Sequence, residues 1–176
     1  MYEHGLTNPK RLHVEDGCQF LNLYPASKYA VSARQLIEAI ADLVTAPEVE
    51  VLRFLHLYAV SYIIANGDLH ARNVSLLRGL DGRVTLSPTY DLLTTLPYGD
   101  ARMALKLEGR DQNLERKHFV TAGRRAGVPE AAISRLLDRL TRKAADWVEG
   151  VDTIGLKNKA AEHLKRTMHS RLSDLA

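Results

Sequence analysis

The feature that most constrains this chain is an abrupt change of character at Asn66-Gly67. Before it, Val51, Leu55, Tyr58, Ala59, Tyr62 and Ile63 recur at helical spacing. The helix they define is apolar around much of its circumference. Such a helix has no broad face for water, so other elements must wrap it, and it is predicted to run through the centre of the core. Directly after it comes NGDLHARNVS, Asn66 to Ser75, a polar stretch that has to sit beside that core. Val74 and Leu76, then Val84 and Leu86, alternate around Gly79-Leu80-Asp81-Gly82, which predicts a short β-hairpin.

The remaining pattern is mostly helical. Ser32 with Gln35 predicts a capping box ahead of Leu36, Ile37, Ile40 and Val44. Thr45 with Glu48 predicts a second box, with Pro47 in the first turn, where its missing N–H costs nothing. Residues 1–30, punctuated by Gly5, Pro9, Gly17 and Pro25, read as an irregular lead-in. Leu92 to Met103 fits no single element, and Ala104 to Leu107 suggests a short strand. In the last third, Asn113 is expected to cap a segment carrying Leu114, Phe119 and Ala122. Val128-Pro129 opens a long helix with Ile133, Leu136, Leu137, Leu140, Ala144 and Trp147 on one face. Gly150 and Gly155 break it, and a final helix carries Leu164, Met168 and Leu172. The 176 residues, 45% apolar and 26% charged, suffice for one core, so residues 1–176 read as one domain.

Composition removes several function classes. No apolar run approaches the ~18 residues of a membrane-spanning helix, and the N-terminus lacks the apolar region of a signal peptide. Cys18 stands alone, which excludes an internal disulfide and zinc sites built on several cysteines. A reducing, cytoplasmic compartment is the simplest reading. None of the 7 histidines falls in an HExxH pattern, and a serine hydrolase has no GxSxG to stand on. The net charge of +3 hints only mildly at an anionic partner.

The chemistry lies around the hairpin. Asp68 and Asn73 share the loop before it, and Asp91 follows it in Pro-Thr-Tyr-Asp. Folding the hairpin brings two carboxylates and one amide oxygen towards each other. Hard oxygens suit Mg²⁺, which takes a few protein ligands and leaves the rest to water and phosphate. Phosphoryl transfer asks little more of this half of a site: an Asp that orients the attacking hydroxyl, and an Asn and an Asp on the metal. From spacing alone a second reading stays open, in which Asp68 and Asn73 are ordinary turn residues after a helix end.

NGDLHARNVS, then LSPTYDLL, then MALKLEG followed by NLERKHF, resembles the C-terminal part of the HipA-like serine/threonine protein kinases of bacterial toxin–antitoxin systems. RLHVEDGCQFLNLYPASKY, upstream, looks like the segment before that family's C-terminal helical lobe, so the resemblance runs in order from about Arg11 to Phe119. It implies a mainly α (α+β) fold: a protein-kinase-like C-terminal helical lobe, with the small hairpin carrying the catalytic and metal loops. It implies that Asp68 is the catalytic aspartate, that Asn73 and Asp91 hold Mg²⁺, and that His70 and Arg72 lie near the nucleotide. ATP and Mg are the implied cofactors. The implied partners are a protein substrate, such as a translation factor or an aminoacyl-tRNA synthetase, and an antitoxin. DNA is implied only through such a partner, and no membrane is.

Departures from the family's pattern are also visible. Arg72 stands where Lys is more common, which keeps the charge and changes the geometry. Val14 stands where Gln is common, before Glu15-Asp16. Asp91 is followed by Leu92-Leu93 and not by Phe-Gly. No GxGxxG and no Walker A pattern occurs. The family's nucleotide-binding N-terminal lobe is therefore expected to lie outside these residues, leaving ATP binding incomplete.

A reading from another class competes with this one. Arg124 to Leu136, with Ala-Gly-Val at a turn, resembles a helix-turn-helix, which makes the segment near 118–140 a candidate DNA-associated or non-catalytic interaction module. Arg124, Arg125, Arg135 and Arg139 are its candidate phosphate contacts. Two packed helices joined by a glycine turn account for the same pattern.

Overall fold

The computed structural model describes residues 11–176. Gly5 and Pro9 of the lead-in lie outside them. The fold is mostly helical, with one three-stranded antiparallel sheet. Strand β1 (His13–Asp16) leads into a short helix α1 (Gly17–Phe20), followed by α2 (Ala33–Leu43) and α3 (Pro47–Ile63). Strands β2 (Ser75–Arg78) and β3 (Val84–Leu86) form the hairpin. Helices α4 (Arg116–Arg125), α5 (Glu130–Glu149) and α6 (Asn158–Leu175) complete the chain.

Helix α3 is the centre of the core, as its pattern requires. Val51, Phe54, Leu55, Tyr58, Ala59 and Ile63 are wholly buried, and α2, α4, α5, α6 and β3 all pack on it. The box on α2 forms as expected, with the Gln35 N–H donating to Ser32 Oγ at 3.2 Å and the Ser32 N–H to Gln35 Oε1 at 2.9 Å. The box expected at α3 does not form. Thr45 Oγ1 accepts the Val84 N–H at 2.9 Å, and the Thr45 N–H donates to the Val84 carbonyl at 2.9 Å. Buried Glu50, one turn further on, accepts the Leu86 N–H and Arg53 Nη1, each at 2.8 Å. The start of α3 is thus stapled to the hairpin, and tertiary contacts replace the local cap.

The lead-in needs correction too. From His13 onward it contains β1, a capped α1 and a short 3₁₀ turn at Pro25–Ser27. Strand β1 forms because β2 offers its free edge, with Glu15 opposite Leu76 and Asp16 opposite Ser75. A segment as short as HVED has no strand signal of its own. The expected strand at Ala104 to Leu107 is also absent as an extended element. Glu108 (φ 48°) and Gly109 (φ 77°) turn the chain, and the Leu105 carbonyl takes the Tyr58 hydroxyl at 2.5 Å. Helix α4 starts later than expected, with Glu115 at its N-cap donating its N–H to His118 Nδ1 at 2.8 Å.

Helices α4 and α5 flank a tight turn at Gly127 (φ 83°), so the segment near 118–140 does form two helices. Their apolar faces turn inward, with Phe119, Ile133, Leu137 and Leu140 buried. Arg124 pairs with Glu130, and Arg125 with Glu108. Trp147, expected on the buried face of α5, is 41% exposed, and Val148 takes the core position.

Candidate active site

The loop from Asn66 to Val74 is held by its own side chains. Helix α3 ends with Ala65 in the left-handed region (φ 56°), which swings the chain away from the helix axis. Asn66, fully buried, accepts the Asp68 N–H on Oδ1 at 3.0 Å, an Asx turn that fixes the backbone under Asp68. The Gly67 N–H donates to Thr95 Oγ1 at 2.7 Å. A Cβ at Gly67 would stand 2.8 Å from both that oxygen and the Arg102 carbonyl, so glycine is needed for this close approach.

Asn73 is the junction of the site. Its Oδ1 accepts the His70 N–H at 3.0 Å, and its Nδ2 donates to Asp91 Oδ2 at 2.7 Å. These two partners fix the amide orientation, because a flip would set oxygen against oxygen and N–H against N–H. Asn73 is buried, while Asp91 is exposed and sits in the left-handed region (φ 57°). Ala65 and Glu108 share this region at turns, and an aspartate tolerates it at small cost. The hairpin delivers it: Tyr90, just before Asp91, donates its hydroxyl to the Arg72 carbonyl and shares a hydrogen bond with Ser75 Oγ, each at 2.6 Å. Asn73 and Asp91 are therefore in direct contact, and Asp68 sits five residues back on the same loop.

His70 is buried, and its Nδ1 has no hydrogen-bond partner among the described residues. Burial, and then the charge of Lys28, push its imidazole below the ordinary range. Arg72 reaches away from Asp68, its Nε lying 3.3 Å from Asp16 Oδ2. Asp16 is the N-cap of α1, so Arg72 joins the loop to the lead-in.

Two contacts beside Asp68 were not anticipated from the sequence. Tyr29 donates its hydroxyl to Asp68 Oδ1 at 2.5 Å, and its ring meets His70 edge-on with centroids 5.2 Å apart. The Ala71 N–H donates to the Lys28 carbonyl at 3.1 Å. The only cue in the sequence was that both residues fall in the segment resembling the family's lead-in. Cys18 is buried there as well, and burial first, then Asp16, push its thiol up, which disfavours the thiolate.

The lead-in matters to the loop through Gly17. Its N–H donates to the Val74 carbonyl at 2.8 Å, and a Cβ would collide with the Ala71 carbonyl oxygen and stand 2.9 Å from Leu36 Cδ2. Gly17→Ala is expected to cost about 2 kcal/mol, because backbone must move and not a flexible side-chain tip. Denaturant melts of the two proteins check it, and an unchanged midpoint would show that the loop yields freely.

The donor set fits Mg²⁺. Asp91 Oδ1 and the second lone pair of Asn73 Oδ1 are taken by no hydrogen bond among the described residues, and both are hard oxygens. Among the described residues no group of three His, Cys, Asp or Glu side chains forms a metal cage. An Asn–Asp pair that leaves the remaining ligands to water and phosphate matches how Mg²⁺ is held in phosphoryl-transfer sites.

The chain matches known proteins in sequence and in fold. The family described as the HipA-like C-terminal domain matches residues 3–148. "Putative kinase Y4mE" of Sinorhizobium fredii is 29% identical over 149 residues, covering 80% of this chain and 35% of that protein. "Putative kinase Y4dM" of the same organism is 34% identical over 87 residues, covering 49% of this chain and 21% of that protein. The chain thus matches 35% and 21% of the length of these two relatives. Among solved structures, a chain from the Shewanella oneidensis MR-1 toxin–antitoxin complex of HipA, HipB and operator DNA superposes with a TM-score of 0.70 at 17% identity, covering 98% of this chain and 46% of that one. The Helicobacter pylori proinflammatory kinase CtkA gives 0.54 at 14% identity, covering 94% and 69%. At these identities the two structures bear on the fold alone.

Proposed function

Because this chain belongs to the HipA-like C-terminal domain family, we propose that it is the catalytic and metal-holding lobe of a serine/threonine protein kinase that uses ATP and Mg²⁺. The observation that carries the reading is the 2.7 Å contact between Asn73 and Asp91, with Asp68 on the loop that Asn73 closes. In this reading Asp68 orients the substrate hydroxyl and takes its proton as the oxygen attacks the γ-phosphorus. Asn73 and Asp91 hold Mg²⁺, which when bound neutralises charge on the phosphates. Asn66 and the Thr95–Gly67 contact keep Asp68 in place, so little reorganisation is needed at the moment of transfer.

The toxin–antitoxin setting belongs to the proposal as well. HipB and operator DNA accompany HipA in the Shewanella complex, which supports an antitoxin as partner here and DNA contact through it. The substrate is a protein serine or threonine, with an aminoacyl-tRNA synthetase or another translation factor as the class to try first. No helix among the described residues is long and apolar enough to cross a membrane, and a cytoplasmic location is part of the same proposal.

The test is transfer of label from γ-labelled ATP by a protein that carries this domain together with a nucleotide-binding lobe, followed by phosphoamino-acid analysis. Phosphoserine or phosphothreonine that disappears with EDTA supports the reading, and no transfer under any divalent cation overturns it. The 176 residues alone are expected to bind Mg-ATP with a Kd of about 1 mM or weaker, since adenine and most phosphate contacts belong to the other lobe. Calorimetry checks this, and micromolar affinity would overturn the division of labour between the lobes.

A further inference from the structure

A positive charge lies at Tyr29, the residue that bonds Asp68 from outside its loop. Arg72, the basic residue of that loop, is committed to Asp16. Lys28 Nζ instead lies 4.8 Å from the ring centroid of Tyr29, whose hydroxyl is the donor to Asp68. No carboxylate of the described residues pairs with Lys28. The backbone of the same residue is locked to the loop through the Ala71 N–H. An ammonium held over the ring of the tyrosine that bonds Asp68, with no carboxylate partner among the described residues, is placed to receive a transferring anion.

We propose that Lys28 contacts the phosphoryl group in transfer and that Tyr29 is the positioning residue of Asp68, a proposal that rests on the kinase reading above. Tyr29 occupies Asp68 Oδ1, which leaves Oδ2 to face the substrate. The hydroxyl oxygen of the substrate bonds to the γ-phosphorus as the bond from that phosphorus to the β,γ-bridging oxygen breaks. The hydroxyl proton passes to Asp68, and ADP leaves with the bridging oxygen. Lys28 neither gains nor loses a proton; its charge meets the negative charge that spreads over the equatorial oxygens. The lead-in, which β1 and α1 anchor to the sheet, thereby contributes to the chemistry and not only to the fold.

The experiment uses a protein that carries this domain with its nucleotide-binding lobe, in the unmodified form and as Lys28→Met, Lys28→Arg, Tyr29→Phe and Asp68→Asn, each first shown to be folded by circular dichroism. Lys28→Met is expected to lower kcat about 100-fold while KM for Mg-ATP stays within about threefold, the mark of a contact made in the transition state. Lys28→Arg is expected to restore part of that loss, because charge is retained. Tyr29→Phe is expected to lower kcat about tenfold. A readout independent of activity is available in the 176-residue chain itself. The hydrogen bond to Asp68, then burial, hold the Tyr29 phenol above its ordinary range. Asp68→Asn is therefore expected to bring the titration of that ring, followed by NMR, to lower pH. If Lys28→Met keeps about half its kcat or more while Asp68→Asn is inactive, the kinase reading stands and this proposal is overturned. If Asp68→Asn is itself active, both are overturned.

Discussion

Asp68→Asn is expected to abolish phosphoryl transfer while leaving the domain folded. The substitution keeps the shape of the side chain and removes its ability to accept the proton of the substrate hydroxyl. Loss of a positioned general base lowers rates by about 10² to 10⁴, and the upper part of that range applies where the same group also orients the nucleophile. The fold has little at stake. The backbone of Asp68 is held by Asn66 Oδ1, which the change does not touch, and the Tyr29 hydroxyl can still donate to the amide oxygen of an asparagine. Stability is expected to move by no more than about 0.5 kcal/mol, because the contacts that hold the loop are kept. Activity of the variant in a protein carrying both lobes, together with its melting temperature, decides the matter. A folded Asp68→Asn protein that keeps most of its activity returns NGDLHARN to the status of an ordinary turn.

Much of this site was legible because its parts are close in sequence or joined by a hairpin. Asp68 and Asn73 lie on one loop, and the alternation that predicted β2 and β3 also predicted that Asp91 would come back to that loop. The 2.7 Å contact with Asn73 is the physical form of that return. Helix α3 was legible because an all-round apolar surface leaves only one place for a helix to go. Contacts between distant segments left no such trace. Tyr29 and Asp68 are 39 positions apart, and neither residue type at that separation announces a hydrogen bond. Strand β1 exists because β2 has an edge to fill, and Thr45 abandons its expected box because Val84 is a better-placed partner. Local rules fail in both cases where tertiary contacts offer the same backbone groups another partner. Arg72, which the resemblance implies lies near the nucleotide, has its Nε 3.3 Å from Asp16 Oδ2, and the same kinetic comparison as for Lys28 tests its role.

The largest effect on stability is expected from Arg171→Met, at a residue the sequence did not single out. Arg171 is only 7% exposed, on α6. Its Nη1 donates to the Tyr62 carbonyl and its Nη2 to the Ala101 carbonyl, each at 2.5 Å, and the guanidinium lies 4.5 Å from the Tyr62 ring centroid. Tyr62 belongs to the last turn of α3, where the helix presents the negative end of its dipole. One cation therefore joins α6, the end of α3 and the segment before Met103, and it sits above the point where the loop of Asp68 begins. Burial depresses its pKa, so the site carries a real desolvation cost that these contacts offset. Methionine preserves the apolar stem and removes every polar contact. The Tyr62 carbonyl still has the Ala65 N–H at 3.1 Å, whereas the Ala101 carbonyl loses this charge-assisted bond. Losing two charge-assisted hydrogen bonds and a cation–π contact amounts to about 3 kcal/mol, or a drop in Tm of about 10 °C for a domain of this size. Arg171→Lys should recover less than half of the loss, because a point charge cannot span both carbonyls as the planar fork does. Calorimetric melts of the three proteins test the claim. A Tm for Arg171→Met within about 2 °C of the unmodified chain would mean that repacking around an apolar side chain compensates for the lost cation, and that α6 is held to α3 by its apolar face alone.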